Sequence, residues 1–452
     1  MARRTLLLIS PPVLHAGRWW ANRIANKPHL DSLAGYVRDL ADVRLVEMDT
    51  VAGEQQAEQV SRLDELLPGS VDLVGISCWT SLHYLGACAV ARRVRSLAPH
   101  LPIVIGGHHA TAAPDDFTHD LCDWVVRGDG EQPLRALCQQ WPRRPGQLTV
   151  VEGGVFDQSS STHIDWDRYG RPEARDHAVW VGLSRGCPFQ CRFCVEPQRG
   201  TASSRYSVDD ALSIVERLAR THAPRVICFS DPLFGTNRRW TEAFLDGLER
   251  RELPLMFWAE TRADLMTPQL LDRFKRCRFK LDFGLDAASV RMVERMEKSP
   301  DPRRYLARSR ELLQHANAIG LPHGIYLIFN FPGETPATSR QAQKFIDGIA
   351  LGRRSMSGWL SSGSFFILPG TSAFLRMAEN AATYGTKIRH PRWWTEVGDH
   401  YGLATDVLPS RAFRGREDQL RAFESWNQGV NDGWVARYPA EVTEFCQAFY
   451  RT

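Results

Sequence analysis

The 452-residue chain has no apolar run approaching 18 residues, so no transmembrane helix is expected. Lysine is scarce: six of the 56 basic residues, the rest arginine. No run of like charges reads as a basic or acidic tail. The formal net charge of +4 is small for this length, which argues against a dedicated nucleic-acid binder. There is no internal repeat and no low-complexity tract. The opening MARRTLLLISPP lacks the long apolar core and small-residue cleavage site of a secretory signal, because the apolar stretch stops at Pro11 and Pro12. It is read as a buried first strand, and the location expected is cytoplasmic. What remains is ordinary for a folded chain, 43% hydrophobic and 24% charged, with length for two or three domains.

Residues 1–145 alternate apolar runs with helical spacing. TLLLIS (5–10), VRLVEM (43–48), VDLVGIS (71–77), LPIVIGG (101–107) and WVVRGDGE (124–131) read as strands. Such alternation predicts an α/β fold with a parallel, doubly wound, Rossmann-like sheet. Residues 146–177, rich in Pro, Gly and Ser, read as a linker with a short hairpin. From 178 to 370 six further strand–helix units follow, the last strand being SGSFFIL (362–368). A complete eight-unit barrel needs ~250 residues, so six units predict a partial (β/α)6 barrel open on one side. Residues 371–452 are rich in aromatics and are expected to form a small, mainly helical domain that caps the barrel or binds substrate. Trp393, Trp394, Trp426 and Trp434 there are read as core fillers before substrate contacts.

Ten cysteines are present. Cys78, Cys88, Cys122, Cys138, Cys228, Cys277 and Cys446 are scattered and read as reduced core residues. The other three crowd into LSRGCPFQCRFCVEP as Cys187, Cys191 and Cys194, a C-x3-C-x2-C spacing on a loop directly after a strand. In a cytosolic protein such a cluster is a metal site. Soft thiolates select zinc or an iron–sulfur cluster. A structural zinc would want a fourth Cys or His, and the nearest histidine, His177, lies upstream beyond the strand. Three thiolates can take three corners of a cubane and leave the fourth iron open.

This motif resembles the radical S-adenosylmethionine (SAM) superfamily. The resemblance runs over residues 178–375 and implies a 4Fe–4S cluster whose open iron chelates the amino and carboxylate groups of SAM. One electron, supplied by a donor such as flavodoxin or ferredoxin, then cleaves SAM to a 5′-deoxyadenosyl radical. It also implies that Phe193 packs near the adenine. ICFSDPLFGTNRRW resembles the second-strand motif, making Asp231 the partner of the methionine amino group, although Asp-Pro stands where many relatives have Asp-Asp. FWAETRADLM matches the third strand, with Glu260 and Arg262 toward the cleft. FGLDAAS matches the fourth, with Asp286 in place of a glutamate. MEKSP, IFNFPGET and ILPGTSAF extend the match. Taken singly, Asp231, Glu260 and Asp286 can equally be loop caps or barrel ion pairs.

The first domain resembles the cobalamin-binding domain found ahead of many such barrels, on VDLVGISCWTS, IVIGGHHATAAPDD and DWVVRGDGE. The resemblance implies that Ser77 bonds the nucleotide tail and that Gly106 and Gly107 let the backbone approach a large flat ring. Gly128, Gly130 and Glu131 would shape the rim near the corrin. The Asp-x-His-x-x-Gly motif of histidine-ligated cobalamin is missing: His15 is followed by Gly17 without the preceding Asp, and it reads as a loop residue. His108 and His109 read as caps of the glycine loop. The bland alternative is a flavodoxin-like domain that binds nothing.

A radical generator beside a cobalt carrier implies a cobalamin-dependent radical SAM methyltransferase, with methylcobalamin as methyl carrier, acting on an unreactive carbon of a small-molecule or peptide precursor. Three alternatives stay open: a non-methylating rearrangement, cyclisation or reduction; a non-radical methyl transfer to an aromatic carbon; and an iron–sulfur regulatory or scaffold protein. Methylthiotransferases usually add a second cysteine triad and an RNA-binding tail. Neither is evident, so transfer RNA is disfavoured as a substrate.

Overall fold

The computed structural model describes residues 3–14, 27–48, 57–67, 71–160, 178–200, 202–350, 358–423 and 425–426. Two six-stranded sheets organise them. The first contains β1 (Thr5–Ser10), β2 (Asp42–Glu47), β3 (Leu73–Ser77), β4 (Ile103–Gly106), β5 (Trp124–Gly128) and β6 (Thr149–Gly154) in the order β2-β1-β3-β4-β5-β6. All its pairs are parallel. Every residue of β1 and β3 is buried, as expected of strands covered by helices on both faces. Leu7, Ile9, Val74, Ile76, Ile103 and Ile105 fill one core. Leu6, Leu8, Leu73, Val104 and Val126 fill the core on the opposite face. The strand order reverses between β1 and β3, and ligands of such sheets bind at that crevice, beyond the carboxyl ends of the strands.

The expected linker is in part a strand. Residues 149–154 pair with β5 as the sheet's sixth strand. This edge strand is largely exposed and ends in two glycines, so it carries no buried apolar pattern to announce it. Residues 161–177 lie outside the described residues.

In the second sheet β7 (Ala178–Val181) precedes a small antiparallel ribbon, β8 (Ser184–Arg185) with β9 (Ser204–Arg205). Then come β10 (Val226–Phe229), β11 (Met256–Thr261), β12 (Phe279–Asp286), β13 (His323–Phe329) and β14 (Gly358–Ser364). The order β14-β13-β12-β11-β10-β7 is sequential and all parallel, which is the open six-unit barrel. Helices Val208–His222, Arg238–Arg251, Pro268–Arg276 and Pro302–Ile319 cover it. Ser207, Asn237, Thr267 and Asp301 cap their amino ends with side-chain hydrogen bonds. The last strand begins four residues earlier than expected. Phe365 and Ile367, beyond its end, are buried in the core, and Phe365 packs edge-on against Phe331 with centroids 4.9 Å apart.

The described part of residues 371–452 holds short helices and a ribbon of β15 (Lys387–Ile388) with β16 (Val407–Leu408). Trp393 and Trp394 are 0% and 2% exposed, which makes them core residues. Trp393 donates to the Ile367 carbonyl at 2.8 Å. Trp394 Nε1 and Arg392 both donate to Asp116 at 2.6 Å, fastening this region to the first domain. Trp426 is partly buried against Phe423. Trp434, Cys446 and His15 lie outside the described residues.

Candidate functional site

The carboxyl ends of both sheets open onto one cavity of about 500 Å³. From the first sheet it is lined by Ser77, Trp79, Gly106, Gly107, Gly128, Gly130 and Glu131, and from the barrel by Trp180, Arg185, Asp231, Trp258 and Glu260. All six cobalamin-side residues expected from the sequence therefore share a wall with two of the four acidic or basic residues expected to meet SAM. Arg262 and Asp286 do not line it. They sit with the cysteine loop, where Arg262, Asp286 and Lys298 all act electrostatically on Cys191.

Two of the glycines serve the chain as well as the cavity. Gly107 has φ +111, and a Cβ there would lie 2.5 Å from the Cys78 carbonyl oxygen. Gly128 has φ +85, and its Cβ would lie 2.5 Å from the Gly154 oxygen. The close approaches that demand glycine are thus to neighbouring backbone. A Cβ on Gly106 would make only an ordinary 3.6 Å contact with Val126. Gly107→Ala is expected to cost about 2 kcal/mol or more, because both the backbone region and the space are wrong; a urea denaturation midpoint checks this. His108 and His109 open the helix His108–Ala112 that follows Gly107. His109 is buried and bonds Ser81 at 2.9 Å, and burial pushes the pKa of His108 down to about 4.

The cysteine loop is held on several sides. Arg192 N donates to the Met296 carbonyl at 3.0 Å and its guanidinium to Glu297 at 2.8 Å. Ala373 N donates to the Arg192 carbonyl at 2.9 Å. Cys191 is 8% exposed. Burial raises all three thiols, Cys194 to about 12, so ligation there must displace protons. Among the described residues no three His, Cys, Asp or Glu side chains converge on one point as around a single ion. A cubane asks for something else, since each thiolate meets a different iron.

Beside this loop, Arg262 is 3% exposed. It donates two 3.0 Å bonds to Asp264 and stacks over Phe189 at 4.0 Å. Its remaining Nη1 is buried without a hydrogen-bond partner, a donor suited to a bound carboxylate. Asp286, at the end of β12 with φ +57, pairs with the buried Lys298. The Lys298 ammonium lies 5.7 Å from the Phe193 ring centroid. Burial opposes the charge on Lys298, but Asp286 beside it wins and holds its pKa above the usual range.

The two acids on the cavity are differently occupied. Asp231 accepts from Leu183 N at 2.9 Å and from the Ser184 hydroxyl. It therefore ties the entry of the cysteine loop to β10, and burial raises its pKa to about 6. Glu260 is raised to about 7 by burial and by Asp282, against the opposing effects of Tyr326 and Lys280. A carboxyl raised on folding keeps a proton that the unfolded chain has released, so its contribution is lost as pH rises through the folded value. The stability tied to Glu260 is expected to fall between about pH 5 and pH 8, so the wild type should lose more, or gain less, over this range than Glu260→Gln; urea midpoints of the two cofactor-free proteins at both pH values check this.

Several site residues escaped the sequence reading. Arg185 bonds Ser32 at 2.7 Å and pairs with Glu131, so Glu131 is an ion-pair partner across the domain junction. On the barrel's inner face, Lys280 donates to both oxygens of Asp282 at 2.6 and 2.7 Å. Trp258 Nε1 and Tyr326 OH donate to the same carboxylate at 2.7 and 3.1 Å. Trp180 meets Trp258 edge-on at 5.0 Å. Lys298 stood inside a quoted motif, and Arg185 one residue before the Gly-Cys of another; those positions were the available signals.

Comparison with known proteins decides the class. The B12 binding domain family matches residues 26–138, and the radical SAM superfamily matches residues 181–346. The chain carries the two domains that define a cobalamin-dependent radical SAM enzyme. An uncharacterized methyltransferase of Pyrococcus horikoshii is 24% identical over 365 residues, covering 75% of this chain and 77% of that protein. The hopanoid C-3 methylase of Methylococcus capsulatus is 26% identical over 313 residues, covering 64% of this chain and 57% of that protein. The fold is that of the radical SAM methyltransferase TsrM from Kitasatospora setae, with a TM-score of 0.71 at 16% identity over 93% of this chain and 89% of that one. The cofactors of this class are a 4Fe–4S cluster, SAM and cobalamin, and the residues present fit them. Three soft donors share one loop, an orphaned guanidinium N–H lies beside it, and a cavity opens at the switch point of the first sheet. Among the described residues no helix is long and apolar enough to cross a membrane.

Proposed function

We propose that the protein methylates an unreactive carbon of a small molecule or peptide, with Cys187, Cys191 and Cys194 holding the cluster. The carrying observation is the shared cavity, which brings the carboxyl ends of both sheets to one space. When bound, the cluster supplies one electron for SAM cleavage and cobalamin supplies the methyl group. The chain's residues do the positioning. Arg262 Nη1 receives the methionine carboxylate, and Phe193 packs on the adenine beside Lys298 and Asp286. Asp231 holds residues 183 and 184, and with them the start of the cysteine loop. Ser77, Trp79 and the glycines 106, 107, 128 and 130 form the cobalamin wall. Trp180 and Trp258 form the substrate side and exclude water. The electron comes from outside, from a donor of the flavodoxin or ferredoxin kind.

The test is anaerobic incubation of the loaded enzyme with SAM, a reductant and candidate substrates. The reading expects 5′-deoxyadenosine and S-adenosylhomocysteine together with a methylated product. Deoxyadenosine without methylation would point to rearrangement, cyclisation or reduction instead. A second reading, non-radical methylation of an aromatic carbon, is favoured by one observation: the Trp180 and Trp258 rings suit a flat substrate, and TsrM is described with tryptophan as substrate. It expects a methylated product with S-adenosylhomocysteine and no deoxyadenosine.

A further inference from the structure

The cysteine loop is gripped at both ends by one acidic turn of the other domain. Two residues before Cys187, Arg185 donates to Ser32 at 2.7 Å, pairs with Glu131, and lies 3.4 Å from Asp129. Five residues after Cys194, Arg199 pairs with the same Asp129. Between them, Glu196 reaches 3.8 Å from His108. These are shielded contacts: the side chains of Arg185, Arg199, Asp129 and Glu131 are 15%, 11%, 7% and 2% exposed. The Arg185 guanidinium also sits 5.4 Å over the Phe156 ring, and Phe156 N donates to Asp129 at 2.7 Å. On the far side, Asp231 holds residues 183 and 184 against the barrel. The segment leading into Cys187 thus has no slack toward either domain.

The acidic turn lies on the cavity wall. Asp129, Gly130 and Glu131 line it, together with Gly128, Arg185, Glu196 and Arg199. A ligand seated on the glycine loops of the first sheet bears on this turn. A shift of the turn is passed through two charge-assisted pairs to both ends of the cysteine loop, because such pairs are short, directional and costly to break when shielded from water. Simple domain glue would need neither attachment to bracket the thiols.

We propose that Arg185 and Arg199, clamped on Asp129 and Glu131, are positioning residues that couple cobalamin occupancy to the geometry of the cluster loop and so to its affinity for SAM. This rests on the function proposed above. Coupling is reciprocal: the factor by which cobalamin tightens SAM is the factor by which SAM tightens cobalamin.

The experiment uses anaerobically reconstituted full-length protein. The dissociation constant of SAM is measured by equilibrium dialysis with and without cobalamin. The reduced-cluster EPR spectrum is recorded in the same two states. In the wild type cobalamin is expected to tighten SAM at least about fivefold and to shift the EPR signal. Arg185→Met, and separately Glu131→Gln, should bring the ratio below about twofold and abolish the shift, the ratio being taken on protein whose iron and cobalamin contents have been assayed. The effect of the double variant should be well below the sum of the two single ones, since both break the Arg185–Glu131 pair. Glu131→Gln is nearly isosteric and decides the matter if Arg185→Met fails to load. Retention of the wild-type ratio by the loaded variants, or a wild-type ratio of one, overturns the proposal and leaves the proposed function standing. A wild type that takes up neither cluster nor cobalamin overturns both.

Discussion

Cys191→Ala is expected to bring cluster-bound iron to background and to lower SAM cleavage by at least about a thousandfold. The physical reason is that the site is closed and its loop is fixed. Cys191 is 8% exposed, so water is largely shut out. The backbone around it is fixed by Arg192 N on the Met296 carbonyl and Cys194 N on the Cys191 carbonyl, at 3.0 and 3.1 Å. The loop cannot swing another donor into place. The control is Cys228→Ala. Cys228 is fully buried beside Val226 and Trp258, and burial holds its thiol protonated, so it serves as a small apolar filler. That change should cost about 1 kcal/mol of stability and leave iron at the wild-type level. Iron and sulfide assays on the two variants, with product chromatography for 5′-deoxyadenosine, separate ligand from filler. Equal iron in both would remove Cys191 from the ligand set.

Lys298→Met carries the second large effect. It strands Asp286, 7% exposed, without its cation. Removing one partner of a buried pair costs about 3–5 kcal/mol, because the remaining charge stays desolvated. The loss spreads to the cofactor wall, since the same ammonium faces Phe193 at 5.7 Å and acts on Cys191. SAM affinity should fall along with stability. The double change Lys298→Met with Asp286→Asn removes both charges and should recover most of the stability but little of the SAM affinity. Urea midpoints and SAM dissociation constants for the three variants check both halves. A single-variant cost below about 1 kcal/mol would mean that the pair is solvated and contributes little.

Much of this was legible in the sequence because the informative residues are local. The C-x3-C-x2-C spacing sits in eight residues, and the alternating strands and helices are periodic over hundreds. What escaped are contacts between residues far apart in the chain. Glu131 was read only as a rim residue, because nothing within its own segment shows Arg185 arriving from the barrel. Asp231 was read only as a partner for SAM; that its two oxygens hold Leu183 N and the Ser184 hydroxyl is a tie that only the pairing of β10 with β7 creates. Glu260 and Arg262, one at the end of β11 and the other just beyond it, were grouped together; the structure gives the first to the cavity and the second to the cysteine loop. That Gly107 and Gly128 must be glycine for the chain's own sake was not visible, because the backbone that crowds them, at Cys78 and Gly154, comes from other strands. The edge strand β6 has too little buried apolar surface to reveal itself.

The proposal that one corner of the cluster stands open for SAM is tested most directly by Mössbauer spectroscopy of protein reconstituted with ⁵⁷Fe, before and after SAM is added. Three thiolate-bound irons should be unmoved, and the fourth alone should change its isomer shift as nitrogen and oxygen donors arrive. Spectra that SAM leaves unaltered, or zinc recovered in place of iron, would contradict the account.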